Sequence, residues 1–113
     1  MSESINKQVI AALTELKLPI DVSVTKSKGA DAFLVINPQY DTPKQYADDV
    51  PQTLVQEIEL ALYKRGNYLE LKDKIMKYLI TAGITVSDGR YIEYETDTKY
   101  HHYVFELTVV DSF

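Results

Sequence analysis

The chain has 113 residues, 45% of them hydrophobic and 26% charged, with a formal net charge of −5 from 12 basic and 17 acidic residues. That length suits one domain, able to bury roughly 65% of its unfolded surface without covalent staples. The absence of cysteine excludes a disulfide scaffold, thiol catalysis and thiolate metal sites.

The acidic balance disfavours nucleic-acid binding through a basic groove, which must displace counterions from phosphate. No apolar run approaches the ~20 residues a bilayer span requires. Met1-Ser2-Glu3-Ser4 has neither a basic flank nor a long apolar stretch, so no secretory signal is read there and the expected location is the cytosol. Tyrosine stands out, at 9 residues against 3 Phe and no Trp. Tyrosines line strands as a matter of course, and they are also enriched at protein interfaces.

Ser4 is placed to cap a first helix, behind which Ile5, Val9, Ala12, Leu13 and Leu16 recur at three- and four-residue spacing. Pro19 predicts its end near Lys17. Asp21 to Lys26 alternates, with Val22 and Val24 on one face, and Lys28-Gly29-Ala30-Asp31 marks a turn. Alternation fails in Ala32–Ile36. Phe33 and Val35 point one way and Leu34 and Ile36 the other, as in a central strand apolar on both faces.

Pro38 to Pro51 changes character, with Pro38, Pro43 and Pro51, Tyr40 and Tyr46, and the acids Asp41, Asp48 and Asp49. Proline removes a backbone donor and fixes φ, so this stretch reads as a long exposed loop at about 38–51. From Thr53 to Tyr63 two templates compete. Ile58, Leu60 and Leu62 alternate with Glu57, Glu59 and Ala61 as in a strand, while Leu54, Ile58 and Ala61 share a helical face. The longer alternation favours a strand, closed by Gly66. Asn67 with Glu70 three residues later has capping-box spacing. Tyr68, Leu71, Ile75, Leu79 and Ala82 then form a helical stripe, which Gly83 stops.

The last thirty residues read as a hairpin. Ile92 and Tyr94 are expected inward and Glu93 and Glu95 outward. On the return strand Tyr103, Phe105, Leu107 and Val109 are expected inward, with Glu106 and Thr108 outward. A turn around Thr98-Lys99 would pair Tyr94 with Tyr103 and Ile92 with Phe105. The whole predicts a single α+β domain over residues 1–113, with one mixed, mostly antiparallel sheet of about five strands and two helices packed on one face. The other face, carrying Phe33 and Val35, is expected to be partly apolar and uncovered, hence a partner or self-association surface.

Catalytic motifs are absent: no phosphate-cradling glycine loop, no H-E-x-x-H and no G-x-S-x-G. His101 and His102 are adjacent, so on a strand they face opposite ways and are poorly placed to share a metal. The expected register sets Glu95 opposite His102, a cross-strand ion pair far more readily than an acid/base pair. Asp41, Asp48 and Asp49 lack the spacing of a calcium loop and read as solvated acids. Glu57 and Glu59, with period two, mark the wet side of the sheet. No catalytic, cofactor or metal residue is assigned.

Two stretches carry a resemblance. Glu57-Ile58-Glu59-Leu60-Ala61-Leu62-Tyr63-Lys64-Arg65-Gly66-Asn67-Tyr68 resembles the strand-to-helix junction of phage tail terminator proteins, also called tail completion or head–tail joining proteins. Tyr94-Glu95-Thr96-Asp97-Thr98-Lys99-Tyr100-His101-His102-Tyr103-Val104-Phe105 resembles their closing hairpin.

The resemblance implies a small α+β structural protein, without catalysis or cofactor, that assembles as a ring, commonly of six copies. That ring sits on the growing tail tube of a long-tailed phage or prophage, stops elongation and offers a surface to the head connector. The implied partners are itself, the tail tube protein and the connector or adaptor, with DNA only as passing cargo and no membrane. The implied place is the head-proximal end of the tail, assembled in the host cytoplasm. The acidic balance suits a channel wall from which phosphate is repelled. Candidate ring contacts are the 38–51 segment (Tyr40, Asp41, Tyr46, Asp48, Asp49) and the outer sheet face (Phe33, Val35). A different minor capsid or connector-adaptor protein, or a small cytosolic ligand-binding or enzymatic domain, are the alternative readings.

Overall fold

Period-two alternation in the middle of the chain organises the molecule. A computed structural model describes the backbone of residues 5–23, 25, 29–47 and 50–112; side chains at 38–54 and 110–112 lie outside that description. Helix α1 (Ile5–Leu13) runs into a 3₁₀ turn (Thr14–Leu16), then β1 (Ile20–Val22), β2 (Ala32–Ala47), β3 (Val50–Arg65), α2 (Leu69–Thr81), β4 (Thr85–Tyr94) and β5 (Tyr100–Ser112). The five strands form one sheet in the order β1-β2-β3-β5-β4. Only β1 runs parallel to its neighbour, with Ile20 beside Leu34; the other three pairings are antiparallel. The fold is α+β, as the alternation predicts.

On β3, Ile58, Leu60 and Leu62 point to one face and are buried. They meet Leu34 and Ile36 of β2 and Phe105, Leu107 and Val109 of β5. Both helices lie on this face. Helix α1 contributes Ile5, Val9 and Leu13, spaced four apart, and α2 contributes Ile75 and Leu79. Burying each such side chain stabilises by about 1.5–3 kcal/mol before conformational entropy is counted.

Helix ends follow local chemistry. The Thr14 hydroxyl donates to the Ile10 carbonyl and Lys17 adopts φ 55°, so α1 tightens and stops before Pro19. The Ser4 cap lies outside the described residues. The Asn67 carboxamide oxygen accepts the Leu69 amide, satisfying a first-turn donor of α2. Past its C-terminus the Gly83 amide donates to Ile80 O and the Ile84 amide to Leu79 O, both at 3.0 Å, with Gly83 at φ 83°. This is a Schellman ending, and Ile84 is buried beside Leu79 as that motif favours.

Three expectations are corrected. Residues 38–47 and 50–51 are strand, not loop. Sixteen residues at about 3.3 Å each reach roughly 53 Å, and the long axis of the molecule is 54 Å. The β2–β3 hairpin therefore runs the length of the protein. Its prolines are tolerated because β1 pairs with β2 only as far as Ile36, leaving the outer half of β2 an edge. Pro38 also coincides with a register shift between Pro38 and Tyr40, and Pro51 pairs with Tyr46 beyond the last β5 contact at Thr53.

The β4–β5 register is the second correction. Tyr94 pairs with His101 and Tyr91 with Tyr103, because the turn closes tightly: the Glu95 amide donates to Tyr100 O and the Lys99 amide to Glu95 O. The third concerns side-chain direction. A register shift between Tyr91 and Glu93 makes Ile92 the bulged residue, and Ile92 and Tyr94 are 42% and 44% exposed rather than inward. Tyr103, Phe105, Leu107 and Val109 do face the helices. At Gly89 the missing Cβ makes room for the Tyr103 ring, whose hydroxyl would lie 2.6 Å from it.

Gly83 tests the helix ending cleanly, since no atom lies within 4 Å of an added Cβ and only the backbone objects. Gly83→Ala is expected to lower stability by about 1–2 kcal/mol, read as a lower urea midpoint at unchanged slope. An unchanged midpoint would mean that the left-handed position is not held in the folded protein.

Candidate interaction surface

The sheet face away from the helices is built of registered cross-strand rows. Phe33, Tyr63, His102 and Glu93 form one, running across β2, β3, β5 and β4. Val35, Ala61, Val104 and Arg90 form the next, and Asn37, Glu59, Glu106 and Asp88 the third. Strand pleating sets this order, since residues two apart return to the same face.

The first row is aromatic. Tyr63 stacks on Phe33 at 4.8 Å and on His102 at 4.3 Å, so both its faces are covered. Tyr100 stands edge-on beside the stack, 5.3 Å from Phe33. Its hydroxyl donates to the Ala30 carbonyl at 2.5 Å and accepts the Gly29 amide at 2.9 Å, tying the β1–β2 connection to β5. Arg65 covers the Tyr100 ring at 4.5 Å while its guanidinium donates to the Gly29 and Thr98 carbonyls. A cavity of about 150 Å³ remains beside these rings, lined by Thr25, Phe33, Tyr63, Glu95 and Tyr100. With both its faces covered, Tyr63 has none left for a cation or a base.

Burial raises the Tyr63 phenol above its usual range, with Glu95, Glu59 and Glu93 adding to the rise. Burial lowers His102 below its ordinary 6.5, and the same three carboxylates oppose that shift. Loss of water therefore outweighs the acidic surroundings and favours the neutral imidazole.

The second row is apolar, and its neighbours cover it. Val35, Ala61 and Val104 are 4%, 2% and 2% exposed. Phe33 and Val35, expected as contact residues, are thus interior, packed in a small second core with Ala61, Tyr100 and Val104. The sequence showed a two-faced strand, but the long side chains of the flanking rows close over it. Among the other candidate contacts, Tyr40, Asp41 and Tyr46 lie on the strand β2, their side chains outside the description, and Asp48 and Asp49 fall outside the described residues.

The third row is charged. Glu59 and Glu106 stand directly opposite on β3 and β5, an arrangement that costs stability. The carboxamide of Asn37 donates to Glu59 at 3.3 Å, and Arg90 bridges Glu106 and Asp88 at 2.9 Å each. Glu57 and Glu93 extend the acidic surface on either side. Reading Glu57 and Glu59 as the wet side located this surface. Arg90 was missed, and the Asp88-Gly89-Arg90 alternation around the glycine was its only signal.

His101 and His102 do point to opposite faces. His101 meets the Tyr91 hydroxyl at 2.9 Å and packs near Tyr68 and Tyr94 on the helix side. The partner opposite His102 is Glu93 rather than Glu95, which instead pairs with Tyr100 across the turn. Among the described residues no cluster of His, Cys, Asp or Glu is placed to hold a metal, and no helix is long and apolar enough to cross a membrane. No protein-family model matches the chain, and no curated protein sequence matches it.

The depressed His102 pKa has a pH consequence. Between its folded value and 6.5 the unfolded chain binds the proton more readily, so stability is full above pH 6.5 and falls as acid is added through that window. The urea midpoint of His102→Gln should lose this dependence, whereas His101→Gln should keep it. Identical pH profiles for the parent and His102→Gln would show that His102 is not the group responsible.

Proposed function

We propose that the chain is a structural virion-assembly protein that caps the tail tube of a long-tailed phage or prophage, stops its elongation and forms the head–tail joining surface. The observation that carries this reading is a slab with two unlike faces, helices on one side and registered charged rows on the other, crossed from end to end by one hairpin. Such a shape suits a building block that contacts neighbours on several sides.

The resemblance supports it further. Its two stretches form the β3-to-α2 junction and the β4–β5 hairpin, which meet where Arg65 donates to Thr98 O at 2.9 Å. An exposed cluster at that end, with Tyr91 at 43%, Ile92 and Tyr94, has the amphipathic composition of protein contacts. In this reading the chain works as a ring of copies, held between tube and connector, and catalysis has no part in it.

Disrupting the gene in the phage or prophage that carries it, and imaging lysates by negative-stain electron microscopy, tests the reading. Overlong tubes without attached heads are expected. Tails of normal length on DNA-filled heads would overturn it.

A further inference from the structure

The chain has neither cysteine nor tryptophan, so apart from its two methionines tyrosine is its most readily oxidised side chain. Tyr68, Tyr91, Tyr94, His101 and Tyr103 gather on the helix side near the turn of the β4–β5 hairpin. Tyr68 lies 5.3 Å from Tyr91, 5.1 Å from His101 and 6.1 Å from Tyr103, and His101 lies 4.8 Å from Tyr94. Rings packed at that spacing exchange electrons readily. A charge lost anywhere in the cluster is therefore drawn from whichever ring gives it up most easily.

Tyr91 is set apart by its partner. Its hydroxyl lies 2.9 Å from His101 Nδ1. With the imidazole's own proton on Nε2, Nδ1 accepts the phenol proton. Loss of water, then the neighbouring Tyr68, Tyr94 and Glu93, raises the Tyr91 phenol above its usual range and keeps it protonated. An electron leaves such a phenol at low cost only if the proton leaves with it, and imidazole is the base in reach. The imidazolium so formed would lie beside the Tyr68 and Tyr94 rings, both inside the roughly 6 Å over which a ring attracts a cation.

The other described tyrosines lack this combination. Tyr94 is as exposed as Tyr91, at 44% against 43%, but no hydrogen bond joins its hydroxyl to a base among the described residues. Tyr78 donates to Glu15 at 3.3 Å, a longer bond to a weaker type of base. Tyr100 is buried and donates to a backbone carbonyl.

We propose that Tyr91, paired with His101, is a site of one-electron oxidation through which copies of the chain are joined by dityrosine. The oxidant is external, a high-valent metal complex or peroxidase haem. It takes one electron from the phenol while the phenol proton passes to His101 Nδ1, leaving a neutral tyrosyl radical and an imidazolium. Two such radicals on different copies join Cε to Cε. The hydrogen on each joined carbon moves to its phenol oxygen, and the two imidazolium protons pass to water. Each dityrosine bond thus accounts for two electrons and two protons lost. The proposal does not depend on the tail reading.

Ruthenium(III) tris-bipyridine, generated by light and persulfate, supplies the oxidant for a test. At substoichiometric doses the cross-linked peptides should map to Tyr91 rather than Tyr94. Dityrosine fluorescence should fall roughly fivefold or more in Tyr91→Phe and in His101→Ala, and stay near the parent's in Tyr94→Phe. Imidazole in solution should restore the yield of His101→Ala and not that of Tyr91→Phe, a distinction that loss of packing alone would not produce. Cross-links that simply follow exposure, a parent-like yield in Tyr91→Phe, or a His101→Ala yield that is undiminished or unmoved by imidazole would each overturn the proposal.

Discussion

Everything else in the structure depends on β3 being paired on both edges with its alternation intact. Thirteen registered pairs join it to β5, from Thr53–Ser112 to Arg65–Tyr100, and β2 flanks it on the other side. A slip of one residue would send Ile58, Leu60 and Leu62 to the acidic face and Glu57, Glu59 and Tyr63 under the helices. The cost of burying those carboxylates beneath α1 and α2 holds the register. Both helices are then positioned by the apolar strip they cover, and short connections suffice: Gly66 to Tyr68 leads β3 directly into α2.

The same constraint creates the second face. Once even-numbered residues of β3 are committed to the helices, odd-numbered ones must gather on the other side, in step with β2 and β5. Aromatic, apolar and charged rows follow from that pairing alone. The apolar row does not need a partner, because Tyr63, His102, Glu59 and Arg90 flank it and Tyr100 brings the β1–β2 connection over one end. What this face presents outward is therefore carboxylate rather than hydrocarbon. A partner would be selected by charge and hydrogen bonding more than by apolar area.

Much of this was legible from spacing. The strand over residues 53–63 declared itself because alternation persisted longer than the competing helical spacing, and α2 because the Asn67 turn and Gly83 bracket its stripe. The 38–51 segment was misread for a physical reason. Proline disfavours a central strand, but an edge asks nothing of the outward amide, and whether a strand is an edge depends on where β1 ends. The β4–β5 register was hidden because Lys99, not glycine or asparagine, takes the left-handed turn position at φ 66°. Exposure of Ile92 was hidden because a bulge breaks the very alternation used to orient it. The burial of Phe33 and Val35 could not be read from β2 at all, since it depends on side chains from two other strands, β3 and β5.

The charge of the uncovered sheet face bears on how any two copies would meet. A two-fold dimer joins a surface to itself, so joining the acidic faces would set Glu59 and Glu106 against their own copies, whereas the helix side carries Lys74 and Lys77 beside Glu15, Glu70 and Asp73. Like-charge contact of that kind is penalised at an interface. Joining unlike faces carries no such penalty and leaves one free face of each kind on any open chain of copies. Such a chain keeps growing until it closes on itself, so the number of copies would be set by the angle between the two faces of the slab rather than by affinity. A stiff sheet braced by a hairpin running its full length is the feature that would hold that angle constant from copy to copy.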